Sequence, residues 1–343
     1  MLRDANRLKK VRGVETYLAQ VELPGMDNDR DEFDQPLLEL RTALDVEWST
    51  RSDVPPPEVY HYASASSFAG IIRSQRLWAT ISSELIDSRE LLHAADILRS
   101  ILRRRAITST LPEYSILYPP QVTHFDFGRP DTIEVYVASL SAAGDDVSQW
   151  ERYADNRYGL AIGFDTLVLQ TLHAAQTLRQ PMAFVQVNYD EAQQSEFLEL
   201  LVDTWERQAA AAVARDMARS RDPLMFIAAW LGNLATCVSA ILPCMKSEHY
   251  RAEREWRLIH GHVPGLPLDC VVVGERGHKP HVELDLTQLK GELPLTSVRL
   301  GPGVSNDDSK RLVREFLDQH GFSRVPIHYS GASLRIQQRV VQL

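Results

Sequence analysis

Glu253-Arg254-Glu255-Trp256-Arg257-Leu258 is the stretch whose reading decides the fold. Read as a strand, its period-two alternation places Glu253, Glu255 and Arg257 on one face and Arg254, Trp256 and Leu258 on the other. The face with Trp256 and Leu258 is the one expected to be buried. Two carboxylates two residues apart on a strand repel each other by roughly a few tenths of a kcal/mol unless paired. An arginine in the same row offsets that. The pattern fits an exposed edge strand with compensating charges and a row of carboxylates assembled for chemistry equally well.

Other strands are legible on both sides of this one. Val59-Tyr60-His61-Tyr62-Ala63 is β-prone, and Ser64 then offers an N-cap for a helix ending near Ser74. Leu77-Trp78-Ala79-Thr80 reads as a short strand, Ser88 to Ile107 as a helix, and Thr132 to Ser139 as a β-branched strand. Tyr158 to Phe164 and Ala183 to Tyr189 are two more strands. Two long helices follow, roughly Glu191 to Ser220 and Pro223 to Leu242. A strand over Glu255 to His260 follows them, then strands at Val282 to Leu286, Leu295 to Leu300 and Val325 to Tyr329, with a helix from Asn306 to His320 before the last. Strands with helices inserted between them, and no regular βαβ alternation, predict an α+β fold. Residues 1–57 read as a peripheral extension, with a short helix over Leu37 to Val46 and a stiff spacer at Pro55-Pro56-Pro57. Residues 58–343 read as one domain, with helical insertions at about 84–118 and 191–245.

The composition bounds the function. With 343 residues, 44% hydrophobic and 24% charged, the chain has enough apolar material for a substantial core. A net charge of −9 argues against generic binding to a phosphate backbone, which a surplus of Lys and Arg drives. The densest basic run, Arg99, Arg103, Arg104 and Arg105, falls on a predicted helix and reads as a solvated face. Three cysteines, Cys237, Cys244 and Cys270, without CxxC spacing read as reduced thiols of a cytoplasmic protein. Leu224 to Met245 carries no charge for 22 residues. Its apolar residues recur at spacings of three and four, which predicts a helix packed inside the domain rather than a membrane span.

Three constellations are candidates for chemistry. On the first strand, Tyr60 and Tyr62 alternate with His61, and a strand histidine serves either as a packed core or edge residue or as a site group. Ser139-Leu140-Ser141 ends a strand, and Ser148-Gln149-Trp150-Glu151-Arg152-Tyr153 reads as an aromatic, amide-rich turn, either a ligand lip or ordinary turn chemistry. The third is the opening stretch. No metal site is expected: His260-Gly261-His262, His278 and His281 lie in predicted turns without a Cys or Asp cluster nearby. Gly301-Pro302-Gly303 is too weak a glycine pattern to stand for a nucleotide loop.

In order and spacing these motifs resemble a bacterial family known as domain of unknown function 2971. The resemblance is carried by Tyr60-His61-Tyr62-Ala63-Ser64, Leu77-Trp78-Ala79-Thr80 and Val137-Ala138-Ser139-Leu140-Ser141. Ser148-Gln149-Trp150 with Tyr153, Tyr158 to Phe164, Glu253 to Leu258, Leu300-Gly301-Pro302 and Ser330 to Arg335 complete it. The family usually has Thr at Ala63 and Phe at Leu140. It is similar in turn to the ADP-ribosyltransferase fold, which implies a split mixed β-sheet with long helical insertions and NAD as substrate. By that resemblance His61 hydrogen-bonds an NAD ribose hydroxyl, Tyr153 or Tyr158 packs on the nicotinamide, and Ser139 or Ser141 supports the catalytic glutamate. That glutamate is Glu253 or Glu255, with Glu255 favoured as the one further inside the strand. Tyr62, Ser64, Gln149 and Arg257 complete the implied NAD site. The implied activity is cleavage of the nicotinamide–ribose bond and modification of a protein or nucleic-acid acceptor, as in a toxin or anti-phage effector. The alternatives are a catalytically inactive nucleotide- or partner-binding sensor and a hydrolase using His and Glu on another substrate. The enzyme reading asks that His61 and one of the two glutamates meet at a common cleft.

Overall fold

Alternating β-branched and aromatic residues build ten strands in the computed structural model, which describes residues 47–48, 50–82, 90–108, 134–174, 183–217, 234, 237–238, 241–262, 271–272, 280–332 and 339–343. The strands are β1 (Glu58–Ala63), β2 (Arg76–Ile81), β3 (Glu134–Ser141), β4 (Leu160–Asp165), β5 (Ala183–Gln186), β6 (Glu255–His262), β7 (Val271–Val272), β8 (His281–Asp285), β9 (Leu295–Leu300) and β10 (Ile327–Tyr329). They form one mixed sheet, ordered β10-β9-β4-β1-β3-β2-β8-β7, with β6 on β3 and β5 on β6. Only β10 and β9 run parallel among these pairs; the others are antiparallel. The helices are α1 (Ala65–Ser74), α2 (Glu90–Thr108), α3 (Val147–Tyr153), α4 (Thr166–Ala174), α5 (Glu191–Met217) and α6 (Asp307–Gln319). The class is α+β, as expected.

The sheet divides around β3. Along one side, β6 pairs with β3 over its full length, from Glu134↔His262 to Ser141↔Glu255. On the other side two strands share it. β2 pairs at Val137 and Tyr136, and β1 pairs only at Ser141, through Tyr60. Ser139 lies between those two contacts, where the prongs β1 and β2 leave β3. We call this place the fork.

One face of the sheet is apolar. Val59, Ala63, Leu77, Ala79, Ala138, Leu140, Leu160, Ile162, Trp256, Leu258, Val282 and Leu284 project into a core closed by Phe68, Ile72, Leu169, Val313 and Phe316 of α1, α4 and α6. Local chemistry sets the ends of these helices. Ser64 accepts from Ser67 N–H as the N-cap of α1, and Asn306 does the same for α6 through Ser309 N–H. Arg257, Ser139 and Ser141 belong to the opposite face. There α3 covers β1 and β4 through Tyr62, Trp150 and Ala161. A second core joins α2 and α5 through Leu98, Ile101, Leu102, Phe197, Leu201 and Trp205, with Leu234, Val238, Leu242 and Met245 added.

Several expectations change. Gln149 to Tyr153 are helical rather than a turn, because Asp146 caps α3 by accepting from Ser148 and Gln149 N–H. His260 and His262 lie in β6 and His281 in β8, not in turns, and no group of three metal-ligating side chains occurs among the described residues. His278, Cys270, the helix over Leu37 to Val46 and most of Pro223 to Leu242 lie outside the described residues. Cys237 and Cys244 are buried. Arg104 and Arg105 are not a free basic patch: they pair with Glu199, Asp203 and Glu206 of α5. Trp48, in the segment read as peripheral, sets its ring edge-on to Phe197 at 4.9 Å. Gly301 is a packing residue, since a Cβ there would press on the carbonyls of Arg157 and Gly159 at 2.7 and 2.8 Å. No helix among the described residues is long and apolar enough to cross a membrane.

Candidate functional site

The opening stretch is not a single strand. Glu253 ends a 3-10 helix, Glu248–Glu253, and β6 begins at Glu255. Arg254 between them is left-handed, with φ of 46°. That costs free energy for a non-glycine residue. The turn breaks the predicted row of Glu253, Glu255 and Arg257, yet it brings both carboxylates to one cation. Lys246 Nζ lies 2.6 Å from Glu253 Oε2 and 3.2 Å from Glu255 Oε2. It sits 4.7 Å from the centre of the Tyr250 ring. Glu255 and Arg257 do share a row, as alternation requires. The guanidinium grips the carboxylate twice, Nε to Oε1 at 2.8 Å and Nη2 to Oε2 at 3.0 Å, and donates to Pro243 O at 2.6 Å. β6 is not an edge strand, because β3 and β5 flank it.

All four groups are buried: Lys246, Glu253, Glu255 and Arg257 are exposed by 2, 4, 4 and 1%. Two buried cations thus balance two buried anions, as low polarity demands. From the rim, the half-exposed Arg152 adds a third cation, Nη1 to Glu253 Oε1 at 2.9 Å, and Tyr153 OH donates to the same oxygen at 3.3 Å. Main-chain groups are satisfied too. Glu255 N–H donates to Tyr189 OH at 3.0 Å, and Ser141 Oγ donates to Glu253 O at 2.7 Å. Burial pushes the Glu255 carboxyl up, but Arg257, Lys246 and the Ser139 hydroxyl outweigh it and hold the group at about 2. Glu255 is therefore ionised at neutral pH.

Ser139 links this cluster to the fork. It is exposed, its hydroxyl lies on the face of Glu255 and helps to lower that carboxyl's pKa, and its carbonyl meets His61 Nδ1 at 3.0 Å. The register puts His61 in the row of Leu140 and Trp256, opposite to Tyr60, Ser141 and Glu255. The side chains of His61 and Glu255 therefore leave the sheet on opposite faces, so the common cleft that the enzyme reading asks of them is not met by this pair. The imidazole is half-buried, and burial lowers its pKa more than the Ser139 carbonyl raises it, so it is neutral at pH 7.

The remaining residues named from the sequence separate. Tyr153 touches the cluster. Tyr158 packs against the apolar core, with the Arg339 guanidinium 4.8 Å over its ring. Tyr62 donates to Ala143 O at 2.7 Å, accepts from Asp146 N–H and lies edge-on to Trp150 at 4.7 Å. Gln149 is buried in α3. The Ser64 hydroxyl is occupied as the cap of α1. Lys246, Arg152, Tyr189 and Tyr250 were not singled out by sequence reasoning. A signal for Lys246 existed, since it is the first charge after the 22 uncharged residues ending at Met245.

No curated protein and no solved structure matches the chain. The resemblance drawn from the motifs is borne out over the centre of the molecule, where residues 149–258 match the model of the family described as a protein of unknown function, DUF2971, a span that holds Arg152, Tyr153, Lys246, Glu253, Glu255 and Arg257.

Proposed function

We propose that the fork is the reaction site of an ADP-ribosyltransferase-like enzyme that cleaves the nicotinamide–ribose bond of NAD and passes the ADP-ribosyl group to a protein or nucleic-acid acceptor. The observation that carries this reading is the exposed Ser139 at the fork, on the same face of the sheet as the buried, ionised Glu255. Breaking the glycosidic bond builds positive charge at the anomeric carbon. A fixed, ionised carboxylate near the ribose 2′-hydroxyl stabilises that charge most in the transition state. Glu255 meets the electrostatic requirement, because its cations hold it ionised. A neutral His61 donates Nδ1–H to the Ser139 carbonyl and keeps only Nε2 as an acceptor, on the face opposite to Glu255, so this reading rests on Glu255 and not on the pair. Tyr153 is the aromatic residue placed at the cluster. Glu253, held by Lys246 and Arg152, orients the acceptor side.

Incubation with NAD in a cell extract tests the reading by release of nicotinamide. Glu255→Gln is expected to reduce release by at least about a hundredfold, and Ser139→Ala to reduce it less, with melting curves confirming that both variants fold. Wild type that releases no nicotinamide with any extract sinks the enzyme reading.

A second reading has its own observation. Both carboxylates are buried and matched by Lys246 and Arg257, the arrangement of a structural ion cluster. On that reading the chain is a catalytically inactive module that binds a nucleotide or partner. NAD binding without turnover, unchanged in Glu255→Gln, is its expected signature.

A further inference from the structure

The second prong of the fork carries features that the cluster does not use. On β2, Leu77, Ala79 and Ile81 enter the core, so Arg76, Trp78 and Thr80 take the opposite face. Their cross-strand partners on β8 are Asp285, Glu283 and His281. Trp78 is 46% exposed, the largest aromatic side chain so presented among the described residues. Its indole stacks on the buried His281, with centroids 4.0 Å apart and planes at 22°. That contact fixes the orientation of the ring before any ligand arrives, which lowers the ordering cost of binding. Directly opposite stands Glu283, half-buried, with no hydrogen-bond or ion-pair partner among the described residues. The cation two residues along the row, Arg76, is taken up by Asp285 at 2.7 Å.

An indole face is negative at its centre, and directly opposed residues of a pair hold their Cβ atoms about 5 Å apart. An unpaired carboxylate beside an exposed indole gains nothing from that neighbour. The two together attract a positive group that can lie on the ring and reach the carboxylate. The last β2–β3 pair, Thr80↔Val137, is two residues from both Trp78 and Ser139, and the alternation puts Trp78 on the face that carries Ser139 and Glu255.

We propose that Trp78 and Glu283 form a subsite for a planar organic cation, a pyridinium or a guanidinium. The inference deepens the reading given above and rests on it for the source of the cation. A pyridinium comes from the nicotinamide end of NAD, and a guanidinium from an acceptor arginine.

N-Methylnicotinamide and agmatine are the cationic probes and neutral nicotinamide the control, with binding to the whole chain followed by NMR titration. Wild type is expected to bind at least one cation more tightly than nicotinamide. Trp78→Leu and Glu283→Gln are each expected to weaken that binding roughly fivefold, with near-UV circular dichroism confirming the fold. Preference for N-methylnicotinamide assigns the subsite to the cofactor's ring, and preference for agmatine to the acceptor; either supports the proposal. No preference for cations, or unchanged affinity in both variants, overturns it. Glu255→Gln keeps the two readings apart, since it is expected to leave probe binding intact. Nicotinamide release from NAD that is lost in Glu255→Gln but untouched in Trp78→Leu and Glu283→Gln sinks the subsite and leaves the enzyme. Cation binding that depends on Trp78 and Glu283, without any nicotinamide release, sinks the enzyme and leaves the subsite.

Discussion

The two rows of β6 solve opposite problems with neighbouring residues. Trp256 and Leu258 enter the apolar core, where Phe184 stacks on Trp256 with centroids 5.0 Å apart. Glu255 and Arg257, one position out of phase, are as deeply buried on the other face. The first row is held by area removed from water and by close packing, so each side chain contributes on its own account. The second is held by mutual compensation, and a member left without its partners costs more than it ever contributed. Burial alone therefore does not tell a core from a site. What distinguishes the charged row is its neighbour on β3, since Arg257 pairs with the exposed Ser139 whereas Trp256 pairs with the buried Leu140.

That comparison breaks most sharply at Lys246. Lys246→Met leaves Glu253 and Glu255 facing each other without their shared cation, and the expected loss is about 3 kcal/mol or more in urea unfolding. Adding Glu253→Gln is expected to restore part of it, giving a coupling of at least about 1 kcal/mol in the double-mutant cycle. Additive losses would mean that the charged row packs like the apolar one.

Acid sharpens the contrast next. The folded pKa of Glu255 lies at about 2, below its ordinary 4.5, so its stabilisation is fully present above 4.5 and is lost as pH falls from there toward 2. His61 is depressed as well, and its neutral form is favoured by folding. Its contribution is complete above about 6.5 and declines as pH falls below that value. Unfolding midpoints measured from pH 7 to pH 3 should show both phases, with Glu255→Gln removing the lower one. An unchanged lower phase in that variant would place the acid sensitivity elsewhere.

The smallest effect is expected from charges outside the cluster. Arg104 pairs with Glu199 at a half-exposed position, and Arg104→Ala is expected to shift stability by less than about 1 kcal/mol. A loss as large as that of Lys246→Met would contradict the division drawn between surface and buried ion pairs.

Much of the scaffold is legible in the chain because it is governed by near neighbours. β9 runs over Leu295–Leu300 as its alternation predicts, and α1 and α6 begin after the caps Ser64 and Asn306. These signals act within a few residues, through alternation and through side chains that satisfy the first free N–H groups. The strand expected over Glu255 to His260 begins where β6 begins, but the row that was to join Glu253 to Glu255 and Arg257 is not formed, because a left-handed arginine carries no strong local signature. Asp146 as cap of α3 was overlooked for a different reason, since the serines and amides after it also suit a turn.

The sequence by itself determined the α+β class, the apolar row of Trp256 and Leu258, the opposed placement of His61 and its two tyrosines, and the candidate glutamates. Only the tertiary structure decided that Glu253 and Glu255 meet at Lys246, that Tyr153 rather than Tyr158 joins them, and that the Ser139 carbonyl meets His61. The reason is range. Alternation and capping act between neighbours in the chain, whereas Ser139 and Glu255 lie far apart in sequence and meet through strand pairing, and Lys246 is carried to the glutamates by a turn whose geometry the residue types do not specify.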